Sequence, residues 1–532
     1  MSKEVQTDEI QSLILTPYVF EQVAELAYIL LSVEDAPAAR NWIAERVRQD
    51  EVRLGKMERD CAGMAKPVEP HKVNLAFTYS GLVALGLDDG NDAERLEFPA
   101  AFRMEHEATN LTDRAVQARA ARLGDVAHNC YSKWDWGGPR RIRQPDMMLI
   151  VGAKDTDDLR ELLETWLAMP DGFRPFEPSK RRSFTGCKTL AEVLDITGGT
   201  RTPLFTGRFH DDLTEHFGFV DGIAQPKLAC LENGPVAPRF HREGGQRARD
   251  IVKDGEFILG YPDETRGLSP RPRIRGVDIG TNGSYFVVRQ LRQDVFAFRQ
   301  EVAASAADLT PPVAPRGSDR TAPDPKDWVA ARLVGRWPNG APLAKYPEMP
   351  PELPDDLETP AQRMAWIRQH WNGFGFRHID GHGMNCPIGA HIRRANPRDA
   401  IAASPAAADA VVRRSRILRR GRNYGPILPK DATEDDGQER GLFFAAFVTD
   451  ISRQYEFIMS QWMNDQHFGG LVDETDPFVG VPGGGSSGMT VQRTPVNFRV
   501  DPLKRCVFTK GGAYFFMPSR TALAAIARWR AT

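Results

Sequence analysis

The chain has 532 residues, 41% of them hydrophobic and 26% charged, the composition of a folded globular protein with room for more than one ordinary core. Its 69 basic and 71 acidic residues leave a formal charge of -2, so no net field draws it to nucleic acid or to an anionic membrane surface. The six cysteines are dispersed and form no C-x-x-C pair, which signals neither a zinc ribbon nor a disulfide framework.

From the N-terminus, "MSKEVQTDEIQ" is too acidic and polar for a secretory signal, and no apolar run approaches the roughly 20 residues of a membrane span, so the expected compartment is the cytoplasm. The first strand-then-helix pattern is "VNLAFTYSGLVALGL" from Val73. The second is "MMLIV" at residues 147–151, followed at helical spacing by Leu159, Leu162, Leu163, Trp166 and Leu167. Next comes "HFGFVDGIAQP", in which Phe217, Phe219 and Val220 surround Asp221 with apolar bulk. A carboxyl held against such surface has its pKa raised unless a cation compensates. The third unit is "SYFVV" at residues 284–288, with Leu291, Val295, Phe298 and Val302 behind it.

A proline-rich insertion over residues 305–365 follows, with eleven prolines between Pro311 and Pro354, a density that argues against regular helix or central strand. Beyond it, "HIDGHGMNCPIGAHIRRANPRD" presents three histidines. Read as a metal triad, His378, His382 and His391 would require glycines inside a helix, and Cys386 is a rival thiolate ligand. A possible short helix ending at Gly421 leads through "RILRRGRNYG", whose Arg416, Arg419, Arg420 and Arg422 read as a solvated basic loop from which one cation can serve Asp221. The fourth strand-helix unit is "LFFAAFV" at residues 442–448, followed by Ile451, Tyr455, Ile458, Met459 and Trp462. The run "GVPGGGSSGMT" lacks the phosphate-loop pattern and reads as a surface loop. Two strand-helix units per half suit an α+β chain built of two ferredoxin-like modules with antiparallel sheets.

Taken together, "GFVDG", "GSYFVVRQLRQDVFAF", "LVGRWPNGAPL", "CPIGAHIRRANPRD", "ILRRGRNYG" and "KGGAYFFMPS" resemble the dye-decolorizing peroxidases, and the length and insertion resemble the larger members of that family. The resemblance implies one non-covalent haem b per chain, lodged in a C-terminal module over residues 241–532, with an N-terminal module over residues 1–240 carrying the Asp221 motif. It implies a peroxidase that reduces hydrogen peroxide to water through a ferryl state while oxidising phenols, dyes or other small one-electron donors. No nucleic-acid or membrane partner is expected. By the same resemblance Asp221 is the distal acid/base and Arg419 the distal arginine. His391 is the axial iron ligand, and Arg398 and Gly222 lie at the cofactor. Asp450 stands behind the axial histidine, with Glu456 as the alternative. Tyr424, Tyr455 and Trp462 are candidates for relaying an electron to the surface. The rival class is a haem carrier or store with incidental activity; it has no need of Asp221 and Arg419 together.

Overall fold

Runs of β-branched and aromatic residues form long strands here because both of their faces find apolar partners. In the computed structural model the described residues are 4–15, 23–52, 57–59, 65–67, 72–87, 97–107, 111–139, 144–167, 171–177, 204–208, 210, 212–233, 250–307, 309, 322–481, 488–501 and 503–529. Four strands, β1 (Glu25–Val33), β2 (Lys72–Phe77), β3 (Met147–Ala153) and β4 (Leu204–Arg208), make an antiparallel sheet in the order β4-β1-β3-β2. Four more, β5 (Ser284–Gln293), β6 (Arg422–Tyr424), β7 (Gly441–Val448) and β8 (Val507–Met517), repeat that order as β8-β5-β7-β6. Each set has the βαββαβ order of a ferredoxin-like module, as expected, with α3 (Val295–Ala307) following β5, and the chain is α+β. The two sheets meet at two seams, Asn423 opposite Arg208 and Phe516 opposite Phe77, so the strands form a closed ring.

Side-chain alternation divides the apolar residues between two layers. Leu26, Tyr28, Leu30, Met148 and Ile150 of the first sheet share one core with Phe286, Val288, Phe443, Ala445, Phe447 and Phe515 of the second. The intervening residues Ala27, Ile29, Leu31, Leu149 and Val151 pack under α1 (Ala36–Arg48) and α2 (Thr156–Leu167) through Ala39, Ile43, Leu159 and Leu163. The C-terminal helix α7 (Arg520–Arg528) joins that second layer through Ala522, Leu523 and Ile526.

A bulge in β8 positions the site. Gln290 pairs with Gly511 but Leu291 with Thr509, so Lys510 is the extra residue. One added residue exchanges the faces of a strand. Val507 and Thr509 therefore face a cavity, whereas Phe515 and Met517, of the same parity, face the inner core.

Two expectations are corrected. The proline-rich insertion contains helices, α4 (Pro325–Val334) and α5 (Pro360–Trp371), with a proline at the start of each, where its missing N–H is no loss. Between Pro325 and Pro338 there is no proline, which leaves room for three turns. The helix expected to run to Gly421 stops at Arg414, and Leu418–Arg419 pairs with β7. Residues 310–321 of the insertion, residues 482–487 of the glycine run, and Cys61 and Cys187 lie outside the described residues.

Gly137 shows how tightly the sheet edge is closed. It has φ +72, and a Cβ there would sit 1.8 Å from the Gly512 carbonyl oxygen. Gly137→Ala is expected to lose at least about 2 kcal/mol of stability; an unchanged urea midpoint at constant slope would refute this.

Candidate functional site

One cavity of about 330 Å³ is floored by the open face of the second sheet, with Arg289, Leu291 and Gln293 from β5, Leu442 and Phe444 from β7, and Val507 and Thr509 from β8. Its walls bring together Asp221, His391, Arg398 and Arg419, residues up to 198 positions apart in the chain.

Asp221 ends a small hairpin. Thr214 and Val220 form an antiparallel bridge, and the Asp221 amide donates to the Leu213 carbonyl at 3.2 Å. Gly222 follows with φ +83, a turn that only glycine adopts without strain. Gly222, expected at the cofactor, is not among the residues lining the cavity: its carbonyl accepts from Nε and Nη2 of Arg368 on α5, at 3.0 and 2.8 Å. Its contribution is the turn and the anchor.

Arg419 Nη1 donates to Asp221 Oδ1 at 2.7 Å, and both side chains keep about a quarter of their surface accessible. The rest of the arginine run is not the solvated loop that its composition suggests. Arg420 is buried and donates to the carbonyls of Leu13 and Ile14, Arg422 is buried against the carbonyls of Gly421 and Val23, and Arg416 donates to the Ala224 carbonyl beside Asp250. Guanidinium groups with several donors can satisfy buried backbone acceptors, which a charge count does not reveal.

His391 opens α6 (His391–Ala395) and lines the cavity with a third of its side chain accessible. Its Nδ1 is 2.9 Å from Asp476 Oδ2, and no hydrogen-bond partner for Nε2 is found among the described residues. The acid behind His391 is therefore Asp476, and the expectation of Asp450 or Glu456 is corrected. Asp450 caps the following helix through the Arg453 amide, and Glu456 pairs with Arg119 at 2.8 Å and accepts from the Tyr514 hydroxyl at 3.1 Å. Asp476 also accepts from the amides of Phe478 and Val479 at 3.0 and 2.9 Å. Burial opposes its charge, but His391, the Val479 amide and the charge of Arg394 outweigh burial and hold the carboxyl below its ordinary range. Burial likewise opposes charge on His391, and Asp476 overcomes it, raising the imidazole pKa.

His378 and His382 are exposed, and no group of three or more metal-ligating side chains occurs among the described residues, which removes the triad. Cys386 is buried outside the cavity lining, its thiol pushed up to about 12 by burial. Of the three relay candidates, Tyr455 and Trp462 line the cavity, while Tyr424 is buried elsewhere with its hydroxyl on Glu439.

Arg398, with φ +54, donates to the carbonyls of Asn372 and Phe374 and lies 4.0 Å from the Phe374 ring centre. Beside it is a residue that the sequence reading left unassigned. Arg336, two residues after α4 and bridged to Pro342 at the base of the following turn, lines the cavity while only 5% exposed. Its Nη1 donates to the carbonyls of Gly340 and Trp371, and it forms no ion pair with a carboxylate among the described residues. Burial and then the charge of Arg398 push its pKa down to about 9. Arg336, Arg398, Arg416 and Arg419 thus line the cavity with Arg289 and with the carboxyl groups of Asp125, Glu215 and Asp221. The lining also has an apolar part, with Val334, Ile392, Ile417, Ile458 and Met459.

No family model matches the chain. It is 30% identical to the dye-decolorizing peroxidase AauDyP1 of Auricularia auricula-judae over 85% of this chain and 74% of that protein. It is 28% identical to a dye-decolorizing peroxidase of Mycena epipterygia over 98% of this chain and 86% of that one. The multifunctional dye peroxidase DyP2 of an Amycolatopsis species is 29% identical over 96% and 94% of the two chains. Among solved structures, a fungal peroxidase of this type from Auricularia auricula-judae superposes with a TM-score of 0.65 at 22% identity, over 99% of this chain and 100% of that one. A dye-decolorizing peroxidase in complex with 2,6-dimethoxyphenol also gives 0.65 at 22% identity, over 98% and 100%.

Proposed function

The chain belongs to the dye-decolorizing peroxidases, oxidoreductases acting on peroxide, and from that premise we propose that it is a haem-dependent enzyme that oxidises phenols and dye-like donors with hydrogen peroxide. The observation that carries this reading is a single cavity holding both an imidazole Nε2 with no hydrogen-bond partner among the described residues and the Arg419–Asp221 ion pair. A carrier of haem needs the first and has no use for the second.

The residues fit the group. His391 Nε2 would hold the iron, oriented by Asp476, and Arg336 and Arg398, which line the cavity, would meet the two carboxylates of a haem b, whose macrocycle suits the apolar part of the lining. Bound haem would supply the redox centre that takes two oxidising equivalents from peroxide and hands them to donors singly. Asp221 would take the proton from one peroxide oxygen and return it to the other, which leaves as water. Arg419 donates to Asp221 at 2.7 Å and would stabilise negative charge on the departing oxygen. The expected donors follow from the relatives, which are named for dyes, and from the structural neighbour that binds 2,6-dimethoxyphenol.

The test is to load the protein with haem, record its absorption spectrum, and follow peroxide-dependent oxidation of 2,6-dimethoxyphenol and of an anthraquinone dye. Histidine-ligated ferric haem with turnover of either donor supports the reading. Bound haem with no peroxide-dependent turnover would favour carriage. Asp476→Asn is expected to weaken haem binding about 10- to 100-fold, since the amide cannot serve both His391 and the two backbone donors. An unchanged dissociation constant in an absorbance titration would remove Asp476 from that role.

A further inference from the structure

The hairpin that carries Asp221 is closed by a residue with no role in the reading above. Glu215 Oε1 accepts from the Phe219 amide at 3.1 Å, and Oε2 accepts from the Phe217 amide at 3.0 Å and from Gln293 Nε2 on β5 at 2.6 Å. Its own backbone completes the turn, its amide donating to the Phe219 carbonyl and its carbonyl accepting from Gly218. One carboxylate thus binds two amides of the hairpin to the sheet that floors the cavity.

The same hairpin reaches the other candidate pole of the site. The Phe217 ring packs on Phe298 and on Phe478, at centroid distances of 4.3 and 5.7 Å. Phe478 lies edge-on to His391 at 5.5 Å, and its amide donates to Asp476. The chain from Glu215 therefore runs in one direction to Asp221 and in the other to the packing around His391.

We propose that Glu215 is a positioning residue for the peroxide step, its carboxylate fixing the 213–221 hairpin so that Asp221 meets Arg419 at the geometry proton transfer needs. This rests on the reading of Asp221 as proton carrier. A carboxylate is required because three donors converge on it, and an amide in its place turns an N–H toward at least one of them. Burial pushes the Glu215 pKa up to about 7, and the Phe217 amide, Gln293 and the Phe219 amide oppose that shift; the charged group acting on it is Asp221 of its own hairpin. Burial outweighs those donors, so the group is costly to keep where it is, and the three hydrogen bonds rather than a neighbouring cation fix its place.

A peroxidase cycle has two half-reactions whose kcat/KM values report separately on peroxide and on donor. In haem-loaded Glu215→Gln, kcat/KM for hydrogen peroxide is expected to fall about 10- to 100-fold, the scale of a small misplacement of a reacting group. The value for 2,6-dimethoxyphenol and the haem affinity stay at the wild-type level. Equal losses in both half-reactions, or none in either, would overturn the proposal. If Glu215→Gln does not fold, Gln293→Leu removes one of the three donors and is expected to lower the peroxide value alone; no change would equally count against Glu215. Asp221→Asn, measured in parallel, separates the two levels. A wild-type peroxide rate there overturns the reading of Asp221 and this proposal with it, whereas a slow Asp221→Asn beside an unaffected Glu215→Gln overturns the positioning role alone.

Discussion

Replacing His391 with alanine is expected to abolish most haem binding, with a loss of affinity larger than the about 10- to 100-fold assigned to removal of Asp476. It is the one histidine among the residues lining the cavity, and no cysteine lines it. His210 and His216 pack against each other elsewhere, with His216 Nε2 on the Tyr424 carbonyl, His378 and His382 face outward, and no other described histidine lines the cavity to take over. Removing the ring also leaves Asp476 buried without its main partner, a loss that reaches about 3–5 kcal/mol when a buried pair is broken. A drop in haem content could then reflect unfolding. Two controls separate the causes: circular dichroism of the apo-protein, and added imidazole, which can enter the vacated volume and ligate iron from the Asp476 side. Recovery of a histidine-like spectrum with imidazole supports the assignment, while full haem retention by folded His391→Ala without imidazole refutes it.

Much of the fold was legible because the four strand-helix units put period-two and period-3.6 patterns side by side, and those patterns are local. The site was legible only in pieces. "GFVDG", "CPIGAHIRR" and "ILRRGRNYG" each carry a residue that reaches the cavity, yet each motif alone reads as a turn, a lone histidine or a basic loop. Asp476 escaped for a physical reason: it lies 85 residues beyond His391 in "DETDPFVG", where the carboxylate accepts local amides in a turn that looks like any other. Asp450 drew attention by standing next to a strong strand, but its position there is that of a helix cap. Arg336 sat in a quoted motif without a role, since burial of a cation without a carboxylate is a tertiary fact. In the proline-rich insertion the overall density of prolines hides their spacing, which puts one at the start of each helix and none within it; helix α5 supplies Arg368 to the carbonyl beside Asp221.

The second large effect is expected at Arg419. Arg419→Leu should slow the haem-loaded enzyme's reaction with peroxide about 100- to 1000-fold, the range seen when one preorganised donor to a developing charge is lost, while haem affinity changes little. The guanidinium acts in two ways: Nη1 holds Asp221 at 2.7 Å, and the cation would offset charge on the departing oxygen. Leucine removes both. Lysine keeps the charge but not the planar fork, so Arg419→Lys should recover part of the rate if charge matters more than orientation. Stopped-flow absorbance at varied peroxide gives the second-order constant directly, and a wild-type value for Arg419→Leu would exclude the residue from the mechanism. The double variant Asp221→Asn/Arg419→Leu decides whether the pair works as one unit. Two groups that act through a single proton transfer are strongly non-additive, so the double variant should be no slower than the worse single one. If the two losses multiply instead, Arg419 stabilises charge independently of Asp221, and the ion pair at 2.7 Å is a resting contact of two groups with separate tasks.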